Sequence, residues 1–543
     1  MLVGFLIFLV IVLLLYDRWS RREVYRLGKQ LTCRVKAYPF IGHSYLFLGD
    51  NHSKYYWLRY SLLNILKQCT MNTKSIVINI VFLERMEALQ ILGRDALKND
   101  NGLFPAWQGN YLYTISIWRP RRKVLVPTFN MKNLKSFVTI FVRHSAILVQ
   151  ELGKLSENVP LSAFKYYTAY TMDAIAGTAT KFYTFYHLNH KIEVCYKIQH
   201  SRSYRLYTNG EKMQLIKNII PESTLGYKMD AQKSSDHPFL KAFNYGLPKC
   251  AERLCQPWLH SDFIYKNLPV YTRLVKLKEY LWNFMIELIK AKRKEIKHNK
   301  PNKDTENLPE ESIQTFLECL IRSSGGDNGY TDIEIVEELM VIMVAGNDTS
   351  AVGTSFVSLI LSRHPEVQEK IYEELQEVFG DSDRLATFED LPRLKYLDAV
   401  IRETLRLYPP VPIIVRKVEN HVPLPSGVTL VPGTGVLVHI WALHRNPRYW
   451  GDDAEQFRPE RFLDSQLKHP AAFMAFSHGP RNCAGYQYAM MSMKTVLSTV
   501  LRRFKFLPAV PCDSGFPPLK LTFDLMMKDE NNFQIRLERR IKR

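Results

Sequence analysis

The sequence contains no Cys-x-x-Cys pair. Its eight cysteines (Cys33, Cys69, Cys195, Cys250, Cys255, Cys319, Cys483 and Cys512) are scattered along 543 residues. Such spacing argues against a structural zinc site and a dense disulfide framework, and it fits a body facing a reducing compartment. Most of these thiols read as small core hydrophobes. Repeats and low-complexity tracts are also missing, so nothing divides the chain into arrays. No glycine-rich nucleotide fingerprint of the Rossmann or P-loop kind occurs in a strand–turn–helix context. No basic tail interleaved with aromatics stands out, which sets nucleic acid aside as a partner although the formal net charge is +20. An anionic membrane surface or an acidic protein suits that charge better.

What is present begins at the N-terminus. The run Leu2 to Tyr16 carries no charge. Extended by Met1 and Trp19, it approaches the roughly 20 residues of a spanning helix. A cleaved signal peptide would show a basic region before the run and a small-residue site after it, and neither occurs. Instead Arg18, Arg21, Arg22 and Arg26 follow, which places the body behind them in the cytosol. We expect residues 1–19 to be a membrane anchor and 20–37 a basic, polar linker. Residues 38–543 form the body, opening at Tyr38-Pro39-Phe40-Ile41-Gly42. With 46% hydrophobic and 23% charged residues, that body can bury a large core.

Long helical patterns dominate the second half. Thr331-Asp332-Ile333-Glu334 is a capping-box pattern. The apolar run behind it (IVEELMVIMVAG) is too hydrophobic for a surface helix. This buried helix is expected to reach about Arg363, with His364-Pro365-Glu366 starting the next. Another helix is expected from about Leu394 to Leu407, stopping at Tyr408-Pro409-Pro410.

The decisive segment is Phe476-Ser-His-Gly-Pro-Arg-Asn-Cys-Ala-Gly485, followed by a helical run. It reads as a cysteine held in a glycine-rich turn just before a helix. Backbone amides can approach such a sulfur, and the helix N-terminus favours its thiolate. An isolated Cys-x-Gly is more often a buried structural cysteine, but the whole pattern of Phe476, Gly479, Arg481, Cys483 and Gly485 goes beyond that.

This segment resembles the haem-binding loop of cytochromes P450, and other hallmarks of the family occur in the expected order from about Tyr38 onward. The resemblance implies a mainly α fold with small β-sheets and a non-covalent haem b (iron protoporphyrin IX) with Cys483 as axial metal ligand. A thiolate there pushes electron density onto the iron. Glu403-Thr-Leu-Arg406 matches the family's Glu-x-x-Arg helix, and Arg461 in Phe457-Arg-Pro-Glu-Arg-Phe462 is implied to complete a buried charge triad. Ala345-Gly-Asn-Asp-Thr-Ser350 looks like the oxygen-activating segment. Gly346 would open space for dioxygen, and Asp348 and Thr349 would relay protons to the reduced oxygen. Trp118, Arg122, Arg416 and Arg481 match positions that contact haem propionates.

Within the family the chain looks most like the clan of fatty-acid ω-hydroxylases and insect microsomal enzymes. The runs PTF at Pro127, YPPVP at Tyr408 and HRNPRYWGDDAEQFRPERF carry this likeness. Many fatty-acid hydroxylases of the clan have a glutamate, able to esterify the haem, where this chain has Ala345. Ala345 is thus a substrate-pocket candidate, and ω-hydroxylation in the strict sense is less favoured. His478 replaces a more usual small residue. Residues 178–223 interrupt the pattern with a stretch rich in Lys, Asn, Ile and Tyr, which reads either as a gene-model artefact or as a surface insertion.

The implied reaction inserts one oxygen atom of O2 into a hydrophobic molecule. Electrons would come from NADPH through a cytochrome reductase, with cytochrome b5 as a second candidate donor, at the endoplasmic-reticulum membrane. Lys494, Arg502 and Arg503 are candidates for the docking face. The alternatives are a haem-thiolate isomerase or dehydratase and a disabled, membrane-anchored haem-binding remnant. A nucleic-acid binder is remote.

Overall fold

The structure is a computed structural model. It describes residues 115–157, 159–180, 231–232, 238–255, 262–298, 315–323, 330–417, 420–423, 429–432, 435–463, 469–511, 516–524 and 526–540, with a few isolated positions elsewhere. Most of the expected anchor and linker lies outside the described residues. Phe8, Ile11, Val12, Leu15, Tyr16 and Trp19 of the apolar run are helical and exposed. Among the described residues no helix is long and apolar enough to cross a membrane.

The fold is mainly helical with small sheets. Its principal helices are α1 (Ile115–Leu125), α2 (Met131–Leu152), α3 (Ala163–Thr180), α4 (Pro238–Cys255), α5 (Pro269–His298), α6 (Phe316–Ser323), α7 (Asp332–Arg363), α8 (Pro365–Phe379), α9 (Lys395–Leu407) and α10 (Tyr486–Leu501). The capping box forms as its sequence requires. The Thr331 hydroxyl accepts from the Glu334 amide at 3.2 Å, and the Glu334 carboxylate accepts from the Thr331 amide at 2.9 Å. Helix α7 then runs to Arg363 through the centre of the core, and Pro365 opens α8.

Helix α3 lies against α7 and α10, and hydroxyls stud that seam. Tyr167 meets Ser358 at 2.8 Å, Tyr170 meets Ser492 at 3.2 Å and Thr178 meets Tyr488 at 3.3 Å. Thr171 donates to the Asn347 side chain at 2.8 Å. A buried hydroxyl left unbonded is costly, so these pairs specify how the helices align. Thr178 is therefore part of the core helix, which continues to Thr180; residues 181–223 lie outside the described residues.

The sheets are small and antiparallel. One joins β1 (Ile80–Val81), β6 (Gly435–His439) and β3 (Ile413–Lys417), with Ile414 opposite Val438. Another joins β2 (Leu161–Ser162), β10 (Gln534–Arg539) and β7 (Phe504–Pro508). Strands β4 (Val422–Pro423) and β5 (Thr429–Leu430) pair with each other. Strands β8 (Leu521–Asp524) and β9 (Met526–Asp529) form a hairpin, pinned by the Met527 amide on the Pro410 carbonyl at 2.9 Å.

Candidate active site

The loop before α10 winds through two left-handed residues, Ser477 at φ 61° and Gly479 at φ 78°. Glycine enters that region without steric cost; serine does so only when its surroundings hold it. Here the Ser477 amide donates to the Met474 carbonyl at 2.8 Å, Cys483 to Phe476 at 2.9 Å and Asn482 to Gly479 at 3.0 Å. These bonds curl the chain so that Cys483 stands at the entrance to α10. The Phe476 ring packs edge-on against Tyr486 at 4.5 Å. His478, between the two left-handed residues, is exposed.

Cys483 keeps exposed surface. Packing around its sulfur nevertheless makes burial the leading influence, pushing the thiol pKa up. A hydrogen bond from the Gly485 backbone and the nearby Arg122 cation oppose that push. Ligation by a metal ion removes such a proton outright. Arg122 comes from α1 and grips the residue next to the cysteine. Its Nη1 donates to the Asn482 carbonyl at 2.8 Å and its Nη2 to Asn482 Oδ1 at 2.6 Å. Arg481 is half-buried in the same loop. Trp118 lies on α1 and Arg416 on β3 opposite Val436; both side chains lie outside the described residues.

The second half of the site lies on α7. Most residues from Ile335 to Ser362 are buried, yet Ala345 is exposed and Thr349 half-buried. The Thr349 hydroxyl donates to the Ala345 carbonyl at 2.5 Å. Such back-bonding bends helices, and it leaves the threonine oxygen as an acceptor. Asp348 is buried and pairs with Lys528 of β9 at 3.3 Å. Gly346 lies against α3. A Cβ there would stand 2.9 Å from Ile175 Cδ1, so its missing side chain admits α3.

Behind the Cys483 loop Glu403, Arg406 and Arg461 form a buried charge cluster. Arg406 donates Nε and Nη2 to the two Glu403 oxygens, each at 2.7 Å, and Arg461 Nε reaches Glu403 Oε1 at 3.2 Å. All three are buried. Arg406 also holds the carbonyls of His444, Ala454 and Gln456, and Arg461 bonds Asp453. The triad thus ties α9 to the segment leading into the Cys483 loop. His444 extends the tie by accepting from the Met474 amide at 2.8 Å.

The docking candidates are placed differently from expectation. Lys494 is buried and pairs with Asp398 at 3.2 Å. Arg503 pairs with Asp383 at 2.7 Å, and Arg502 lies over the Phe379 ring while bonding the Ser382 and Arg384 carbonyls. Their charges are engaged within the fold because each finds an acid or carbonyl on a neighbouring element. Sequence reading missed Asn482 and Lys528, whose roles rest on partners 360 and 180 residues away, beyond any local spacing signal.

These residues fit a thiolate-ligated group. The cysteine has exposed surface, a backbone N–H hydrogen bond at sulfur and a cation beside it, and α7 exposes the small Ala345 side chain within a buried face. The comparisons agree. The family model for Cytochrome P450 matches residues 213–534, and the chain belongs to that family of haem-thiolate monooxygenases, with haem b held non-covalently in this chain. Cytochrome P450 4c21 of Blattella germanica is 31% identical over 410 residues, covering 74% of this chain and 72% of that protein. Cytochrome P450 4V2 of Mus musculus is 30% identical over 526 residues, 93% and 89% of the two chains. Cytochrome P450 4d2 of Drosophila melanogaster is 30% identical over 420 residues, 75% and 74%.

Proposed function

We propose that this chain is an endoplasmic-reticulum monooxygenase whose body, residues 38–543, faces the cytosol behind an anchor at residues 1–19. It oxidises a hydrophobic small molecule with electrons from NADPH, delivered by a membrane-bound reductase. The observation that carries the reading is Cys483 at the entrance to α10, with a backbone N–H hydrogen bond at sulfur and Arg122 beside it.

When bound, the haem would supply the activation of dioxygen, one atom of which enters the substrate while the other is reduced to water. The chain's own residues do the rest. Cys483 is the ligand, with Phe476, Gly485 and the loop's hydrogen bonds holding it in place. Trp118, Arg122, Arg416 and Arg481 hold the propionates. Asp348 takes protons from solvent and passes them to the Thr349 hydroxyl, which must release the Ala345 carbonyl to donate outward. Glu403, Arg406 and Arg461 hold the loop's support. Ala345 borders the substrate space and has no carboxylate to bond a haem methyl.

The test is the CO-difference spectrum of the reduced, recombinant full-length protein. A red-shifted thiolate band supports the reading, and its loss in Cys483→Ser assigns the ligand. A band typical of a neutral ligand, or none, refutes it.

A further inference from the structure

Helix α1 carries two adjacent arginines that reach in different directions. Successive helical residues are turned by about 100°. Arg122 points to the Cys483 loop, as described. Arg121 points to α7 and meets three carboxyl groups there. Its Nη1 donates to Glu337 Oε2 at 2.9 Å and to Glu338 Oε1 at 3.0 Å, and its Nη2 to Glu334 Oε1 at 3.3 Å. Helix α1 thus bridges the two halves of the site, fixed on one face to α7 and on an adjacent face to Asn482.

The charges around Arg121 make its contact with α7 specific. One guanidinium faces three carboxyls, and Glu338 is fully buried with Oε2 lacking any hydrogen-bond partner. Burial pushes the Glu338 pKa up to about 9, so it stays protonated at neutral pH. Glu334 is held below its ordinary value, mainly by hydrogen bonds from Thr331 and the Arg121 cation against the opposing effect of burial. A planar fork with five donors can serve this cluster; a lysine offers one compact charge on a flexible stem.

Resting on the reading of Cys483 as iron ligand, we propose that Arg121 is a positioning residue for it. By clamping α1 to Glu334, Glu337 and Glu338 of α7, it sets where Arg122 grips Asn482. That grip holds the cysteine loop in its ligating form.

The experiment uses full-length protein and reads the ratio of thiolate to neutral-ligand bands in the CO-difference spectrum, below each variant's unfolding temperature. Arg121→Gln is expected to shift the ratio toward the neutral-ligand form by roughly fivefold or more, the lower end of ordinary coupling between sites. Arg121→Lys, which keeps the charge but loses the fork, should fall between it and wild type. Glu338→Ala should shift the ratio the same way, and the isostere Glu338→Gln should restore it. Arg384→Gln removes the pair with Asp390, whose contact is 2.6 Å, and serves as a stability control. It should lower the unfolding temperature without moving the ratio. A wild-type ratio in Arg121→Gln or Arg121→Lys overturns the inference, as does an equal shift in Arg384→Gln. A wild-type protein with no thiolate band overturns the ligand assignment, and the inference with it.

Discussion

Substituting Gly346→Ala separates two roles for this glycine. The added methyl would stand 2.9 Å from Ile175 Cδ1 and 3.2 Å from its Cγ1. Both atoms belong to a buried side chain on α3. Overpacking of this kind costs about 1–3 kcal/mol. Alanine gains about 1 kcal/mol over glycine within a helix. The net expectation is a loss of about 0–2 kcal/mol. Ile175→Val removes Cδ1, the closer obstacle, and alone costs about 0.5–1.5 kcal/mol. In that background the alanine should become neutral or stabilising, giving a favourable coupling of about 1–2 kcal/mol between the two sites. Urea unfolding of the four proteins, followed by circular dichroism, measures this coupling. Strictly additive effects would refute the packing account. Turnover by the double variant adds the chemical answer. If Gly346 serves only helix approach, the double variant keeps the thiolate CO band and its rate of NADPH oxidation. If the glycine also leaves room needed for dioxygen, the rate falls while stability is restored.

Three further outcomes follow from the geometry. Removing Glu403 by Ala leaves Arg406 and Arg461 without their shared buried carboxylate and should cost about 3–5 kcal/mol; haem retention during a thermal ramp reads it, and a wild-type ramp would contradict the triad. Lys528→Met strands the buried Asp348 carboxylate and should destabilise by about 1–3 kcal/mol, with Asp348→Asn on top recovering part of that loss in a urea titration; no recovery would mean that the pair at 3.3 Å carries little. Burial holds His444 and His144 at about 3 and His439 at about 4, so all three fold as neutral bases. The unfolded chain takes up these protons near pH 6.5, so the stability they confer is complete above that pH and is lost as pH falls toward 4 and then 3, at up to about 1.4 kcal/mol per pH unit for each group. Urea midpoints between pH 7.5 and 5.5 should fall, and His439→Gln should flatten the slope; a flat wild-type profile would exclude the effect.

Local chemistry made much of this readable in the one-dimensional chain. Thr331 and Glu334 announce the start of α7 three residues apart, and Pro365 announces α8. The turn around Cys483 shows its left-handed glycine at Gly479. The triad members Glu403 and Arg406 share one helical turn. What stayed hidden depends on distant partners. Lys494 reads as a surface lysine until α9 brings Asp398 beside it. Gly346 reads as an opening until α3 brings Ile175. Arg121 reads as one of a basic run until three glutamates of α7 surround it. Two-residue strands such as β1 and β2 have too little length for a period-2 pattern, so their pairing belongs to tertiary context.

The hydroxyl seam along α3 gives this enzyme an index mark. Apolar helix faces accept small slips, since one methyl contact replaces another at little cost. Tyr167, Tyr170, Thr171 and Thr178 do not, because a slip of one residue would strand each of them at once. They engage α7 through Ser358 and Asn347, and α10 through Ser492 and Tyr488. The helix bearing Asp348 and Thr349 and the helix that follows the cysteine are therefore both calibrated against the same third element. Substitutions that reshape the substrate space can accumulate on loops and exposed faces without changing that calibration.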